Sequence, residues 1–172
     1  MFRMDHSPYK DRMHIRLSQY ERDEIESIYV PLREEDKRKR KKNSGKVVIP
    51  RVIIRGPTAR FEFENVIVEP HDLRNDQFQE GVITAIDVIM SLGDEKKLSY
   101  DLRWYDSIGS AEVVGNYLVD RVDGDIASGR CGFVYESGSP AFRGFTGNHI
   151  HLPSDSRVLN SPEYVEFFWI CI

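Results

Sequence analysis

Six adjacent cations, Lys37-Arg38-Lys39-Arg40-Lys41-Lys42, divide this chain. Like charges packed so closely repel one another and bury nothing, so the run must lie exposed, outside any core. Asn43-Ser44-Gly45-Lys46 follows, a polar stretch with a glycine. The sequence therefore predicts a flexible N-terminal arm over residues 1–45 and a single globular domain over 46–172. Charge divides at nearly the same place. Residues 1–46 hold 13 Lys/Arg and 9 Asp/Glu, a net +4, and residues 47–172 hold 11 and 19, a net −8, which together give the −4 of the chain. A basic arm on an acidic body is not a general nucleic-acid binder, because the body repels phosphate everywhere except at the arm.

Within the arm, residues 1–16 are polar and expected to be poorly ordered. Ser18-Gln19-Tyr20-Glu21 fits a capping box, and Tyr20, Ile25 and Ile28 form a narrow apolar stripe. Pro31 is expected to end this helix. Three turns are too few to be stable alone, so the helix needs a docking surface on its own domain or on a neighbour. The basic run itself is open to three partners: nucleic-acid phosphate, an anionic membrane surface, or a nuclear import receptor.

The whole chain is 40% hydrophobic and 11% aromatic, enough for a buried core. No apolar run approaches the roughly 18–20 residues of a membrane span. The first residues, Met1 to His6, lack the apolar stretch of a signal peptide. Cys131 and Cys171 are expected to be a reduced pair in the cytosol.

Lys46 to Arg55 reads as a strand, and Pro50 places it at an edge or a bulge. Arg60 to Glu69 reads as its partner, with Phe61, Phe63 and Ile67 on one face. Asp76 and Gln79 mark a helix start, Phe78, Val82, Ala85, Ile86 and Ile89 supply its apolar face, and Gly93 closes it. From Lys97 to Tyr105 the chain alternates: Leu98, Tyr100, Leu102 and Trp104 face inward, and Ser99, Asp101, Arg103 and Tyr105 outward. Further strands are expected over 117–122, ended by the Asp123-Gly124 turn, over 131–135, and over 164–172. The sum is an α+β fold, a mostly antiparallel sheet of five to seven strands with one main amphipathic helix packed on it.

Few residues form a reactive constellation. Gly45-Lys46 fails as a phosphate loop, since Arg40 stands where a Gly is needed and Val47 where a Ser or Thr is needed. His149-Ile150-His151 would project two imidazoles from one strand face toward a metal, with Asp155 or His71 completing the set. That spacing resembles the His-x-His of cupin barrels, although no third His follows. The opposing reading is a pair of loop histidines bonded to backbone. Asp120, Asp123 and Asp125 lack the closing Glu of a calcium loop and read as a turn with a solvated acidic face. Tyr100, Trp104 and Tyr105 with Lys96, Lys97 and Arg103 are a weaker candidate for base stacking. No catalytic residue and no cofactor are assigned.

The order of elements resembles the matrix proteins of rhabdoviruses, most of all the small plant-infecting members. The resemblance runs from about Phe61 to Ser110. It rests on Val66-Ile67-Val68-Glu69, the segment Val82 to Leu92, and Lys96-Lys97-Leu98-Ser99-Tyr100 leading to Ile108-Gly109-Ser110. It implies a non-enzymatic structural protein that self-associates and bridges a helical nucleocapsid to the envelope membrane during virion assembly. Partners would be further copies of the chain, the viral nucleoprotein–RNA complex, the inner leaflet of an anionic membrane and the tail of an envelope glycoprotein. Its place would be the virion, between envelope and nucleocapsid, and the cytoplasm, membrane and nucleus of the host. Lys37, Arg38, Lys39, Arg40, Lys41, Lys42 and Lys46 would then face nucleocapsid or lipid. Tyr20, Ile25, Ile28, Tyr29, Val30, Pro31 and Leu32 would dock on the next subunit. The net acidity and the absence of a Pro-Pro-x-Tyr motif depart from the family pattern. The alternatives are a small metal-dependent enzyme using His149, His151 and Asp155, and a soluble adaptor with a nuclear import signal.

Overall fold

The β-branched run after Gly45 forms β1 (Val47–Arg55), around which the larger sheet of this computed structural model is built. The structure describes residues 30–31, 34, 37–38, 41–42, 44–107, 115–138, 153–159 and 163–171. After a tight turn at Gly56–Ala59, β2 (Arg60–Val68) returns antiparallel to β1. The last strand, β7 (Tyr164–Cys171), lies on the other side of β1 and parallel to it. β6 (Cys131–Gly138) pairs antiparallel with β7, giving the order β2-β1-β7-β6. A second sheet holds β3 (Tyr100–Tyr105), β4 (Asn116–Val122) and β5 (Asp125–Ile126), all antiparallel. The α+β class and the seven strands agree with the sequence reading. The strands form two sheets, however, and the β1–β7 pair is parallel.

Pro50 does not place β1 at an edge. β1 is interior, and it accommodates the missing N–H because its pairing with β7 begins only at Arg51. The strand pair also changes face here. Val47 and Ile49 are buried opposite Val68 and Val66, but beyond Pro50, where Ile53 is buried as well, it is Val52 and Ile54 that join the same core cluster, opposite Phe63 and Phe61. Asn65, at φ +52°, falls between the Ile49–Val66 and Arg51–Glu64 pairs, and the register is the same on both sides of it. Ile67 is therefore 48% exposed and does not share a face with Phe61 and Phe63.

The helix α1 (Ala85–Asp94) starts well after Asp76. The Asp76 carboxylate is held by Arg74 rather than by the amides of a first turn, and Gly81, at φ +88°, lies outside the helical region. Thr84 caps the helix instead, and the Asp87 carboxylate reaches back to accept from its N–H at 2.7 Å. Gly93 lies inside the last turn, where a Cβ would stand 2.2 Å from the Tyr100 ring. The left-handed position is taken by Lys96, at φ +58°. Lys97 N–H donates to Leu92 C=O and Lys96 N–H to Gly93 C=O, a Schellman ending. Ala85, Ile86, Val88, Ile89 and Leu92 are all buried, and so are the polar Asp87 and Ser91. The helix packs against β2 and β3 and joins the core made by β1, β7, Val119, Val122 and Leu159.

A bulge between Asp101 and Leu102 breaks the alternation of β3. Leu98 is buried and Leu102 half-buried as expected, but Trp104 is 42% exposed and Tyr105 half-buried.

The cysteines do not form a reduced pair. Pairing of β6 with β7 sets Cys131 directly opposite Cys171, and their sulfurs are bonded across 40 residues of sequence. Such a cross-link shortens the unfolded chain's reach. Reduction, or the double change C131S/C171S, is expected to cost about 2–4 kcal/mol in urea unfolding while native near-ultraviolet dichroism is retained.

Candidate functional site

Residues 153–159 are built onto the start of α1. Ile86 N–H donates to Ser154 C=O, Ala85 N–H to Arg157 C=O, and Leu159 N–H to Ile83 C=O. This brings Asp155, fully buried, beneath the start of β4. Its carboxylate accepts from Arg74 at 2.7 Å, from the Asn116 side chain at 2.7 Å and from Tyr117 N–H at 2.8 Å. Arg74 is itself buried, with its remaining donors on Asp76 at 2.9 Å and its guanidinium 5.3 Å from the centre of the Trp104 ring. The Asp76 hydrogen bond first, and then Asp155, raise the Arg74 pKa, so the cation is permanent. A second buried pair, Arg157 with Glu163 at 2.7 Å, ties the same loop to the start of β7.

Both oxygens of Asp155, the carboxylate read from the sequence as a partner of His149 and His151, are thus occupied by donors. Those two histidines lie outside the described residues. Among the described residues no group of three His, Cys, Asp or Glu side chains could hold a metal ion.

The aspartates of the β4–β5 hairpin are not a solvated acidic face. Asp125 is buried and accepts from Thr58 Oγ1 at 2.6 Å and Ala59 N–H at 2.7 Å. Burial alone would raise its pKa, but these hydrogen bonds outweigh it and hold the carboxylate below its ordinary value. A Cβ on Gly56 would collide with this carboxylate, so the β1–β2 turn needs glycine to approach it. Asp123 accepts from Ser99 N–H at 2.9 Å, and Asp120 from the Tyr105 hydroxyl at 2.6 Å. Each carboxylate fastens one segment to another.

His71 is the middle of a carboxylate–imidazole–carboxylate chain. Nδ1 lies 2.9 Å from Asp87 and Nε2 2.7 Å from Asp94. Burial lowers its pKa, yet the bonds to Asp94 and Asp87 prevail and the net shift is upward. Burial likewise raises Asp87.

The described part of the basic run is exposed, as charge repulsion requires, and it is helical. Val30, Pro31, Glu34, Lys37, Arg38, Lys41 and Lys42 all take helical conformation. Lys37 and Lys41, like Arg38 and Lys42, are four residues apart, the spacing that puts two residues on one face of a helix. Lys37 also pairs with Glu34 at 3.3 Å. Lys46 stands apart from them, bound to Glu69 at 2.5 Å. Lys39, Arg40, Tyr20, Ile25, Ile28, Tyr29 and Leu32 lie outside the described residues. The base-stacking surface is largely engaged internally: Lys97 lies over Phe63, Arg103 over Tyr105, and the Trp104 indole N–H donates to Asp106. No helix among the described residues is long and apolar enough to cross a membrane.

Against known proteins, no protein-family model matches the chain and no curated protein is significantly similar to it.

Two outcomes are expected. Asp155→Ala leaves Arg74 buried without its partner and should lower unfolding stability by about 3–5 kcal/mol, whereas a joint R74M/D155L change should cost less. For His71, a raised native pKa means its contribution is complete below the ordinary value near 6.5 and is lost as pH rises through the native value. The melting-temperature advantage of the wild type over H71Q should therefore be greatest at about pH 6 and shrink as pH rises above it.

Proposed function

We propose that this chain is a non-enzymatic assembly protein of the matrix type, which holds a polyanionic surface through its basic helical segment. One observation carries the reading: Lys37, Arg38, Lys41 and Lys42 are exposed and in helical conformation, next to a domain of net −8. A helix presents these charges as a row, so several can meet phosphates of one surface together. Each cation near an anionic membrane is worth about 1 kcal/mol, so four act strongly as a group and weakly apart. The acidic body keeps the remaining surface from adhering, which confines contact to one edge. The resemblance of the 61–110 region to rhabdovirus matrix proteins extends the reading to a bridge between nucleocapsid and envelope.

The test is co-sedimentation of the full chain with vesicles containing phosphatidylserine, set against vesicles of phosphatidylcholine alone. Binding should be confined to the anionic vesicles and fall steeply between about 0.02 and 0.3 M salt, as the screening length shortens. The variant K37Q/R38Q/K41Q/K42Q should keep the wild-type melting temperature and lose binding by more than about tenfold. Unchanged binding by that variant, or salt-independent binding, overturns the reading.

A further inference from the structure

A cleft of about 390 Å³ opens at the seam between the two sheets, within the usual size range of small-molecule sites. β3 and β4 form one wall, and β6 with the connection before it forms the other. Leu118, Val119, Phe133 and the Cys131 end of the disulfide line it with apolar surface. Gly129 and Gly132 place only backbone along it. At its rim stand two arginines from different elements, Arg103 of β3 and Arg130 of the β5–β6 connection.

These two differ from four other arginines of the domain. Arg51, Arg74, Arg121 and Arg157 each hold a carboxylate. Among the described residues, neither Arg103 nor Arg130 forms an ion pair. Arg103 is positioned over the Tyr105 ring, 5.4 Å from its centre. The single carboxylate of the cleft, Asp120, accepts the Tyr105 hydroxyl proton at 2.6 Å. Two cations against one carboxylate leave the cleft a net +1. Polar groups that are few and convergent over an apolar floor fix the orientation of a bound molecule.

We propose that this cleft binds a small molecule with one anionic head and an apolar body. The head, a carboxylate in the simplest case, lies between Arg103 and Arg130, where planar guanidinium groups give paired hydrogen bonds. The body lies over Leu118, Val119 and Phe133. Bound there, the molecule spans both sheets and stiffens the seam between them.

The probe is octanoate, with 1-octanol as the uncharged control, titrated into uniformly 15N-labelled full-length protein. Octanoate should give saturable shifts confined to amides of the cleft, among them Arg103, Leu118, Gly129 and Gly132, while octanol binds at least about tenfold more weakly. R103Q/R130Q should weaken octanoate binding by about tenfold or more, and both side chains are exposed, so folding should be unaffected. S128W, at another exposed lining position, should block the cleft from a different side. The variant lacking the four helical cations should bind octanoate normally, which separates this site from the basic segment. The proposal is overturned if octanol matches octanoate, if R103Q/R130Q binds octanoate unchanged, if the shifts lie elsewhere, or if no saturable binding occurs.

Discussion

The carboxylate of Asp155 is the joint on which the domain depends. A fully buried anion is tolerable only when its lone pairs are filled, and here Arg74, Asn116 and Tyr117 fill them. Those partners come from the β2–α1 connection and from the start of β4. The loop bearing Asp155 also supplies the carbonyls that accept the first amides of α1. One side chain therefore sets the helix, the smaller sheet and the approach to β7 against one another. The arrangement is all-or-none, since removing any partner leaves a charge or dipole in the interior.

Asp125 performs a similar task at the other end of the molecule. It fastens the β1–β2 turn to the β4–β5 hairpin and so links the two sheets. Between these polar joints the sheets meet over apolar surface, and the arginine-rimmed cleft opens along that seam. Ionic groups are thus divided by role. Buried or half-buried ones, Arg74, Asp125, Asp155, Arg157 and His71, are consumed in holding the fold. Exposed ones, Lys37, Arg38, Lys41, Lys42, Arg103 and Arg130, face solvent, and among the described residues only Lys37 of these pairs with a carboxylate, that of Glu34. Both functional readings rest on that second group.

The elements that were legible in sequence are those whose signal is local. The β-branched run of β1, the aromatic run of β7 and the Asp123-Gly124 turn stand where periodicity and turn chemistry place them. The errors occur where a distant segment intervenes. Asp76 has the composition of an N-cap but is claimed by Arg74, and the true cap, Thr84, precedes a run read as the middle of the helix. Gly93 reads as a helix terminator, yet it is small because the Tyr100 ring lies against it. Ile67 belongs to an apolar face by spacing, and the left-handed Asn65 turns it outward. The Arg74–Asp155 pair spans 81 residues and the Asn116–Asp155 pair 39, so no window of sequence contains either.

By itself the sequence determined the mix of helix and strand, the division of charge between a basic first segment and an acidic remainder, and the exposure of Lys37, Arg38, Lys41 and Lys42. Hydrophobic period and charge repulsion act between near neighbours, so they can be read along the chain. Only the tertiary structure decided that the strands divide into two sheets, that β1 is interior despite Pro50, and that Cys131 and Cys171 are joined. It also decided which charges are left free. A carboxylate or guanidinium looks the same in sequence whether it is buried against a partner or open to solvent. What separates Arg74 from Arg103 is the chain that folds around the first and leaves the second at the rim of a cleft.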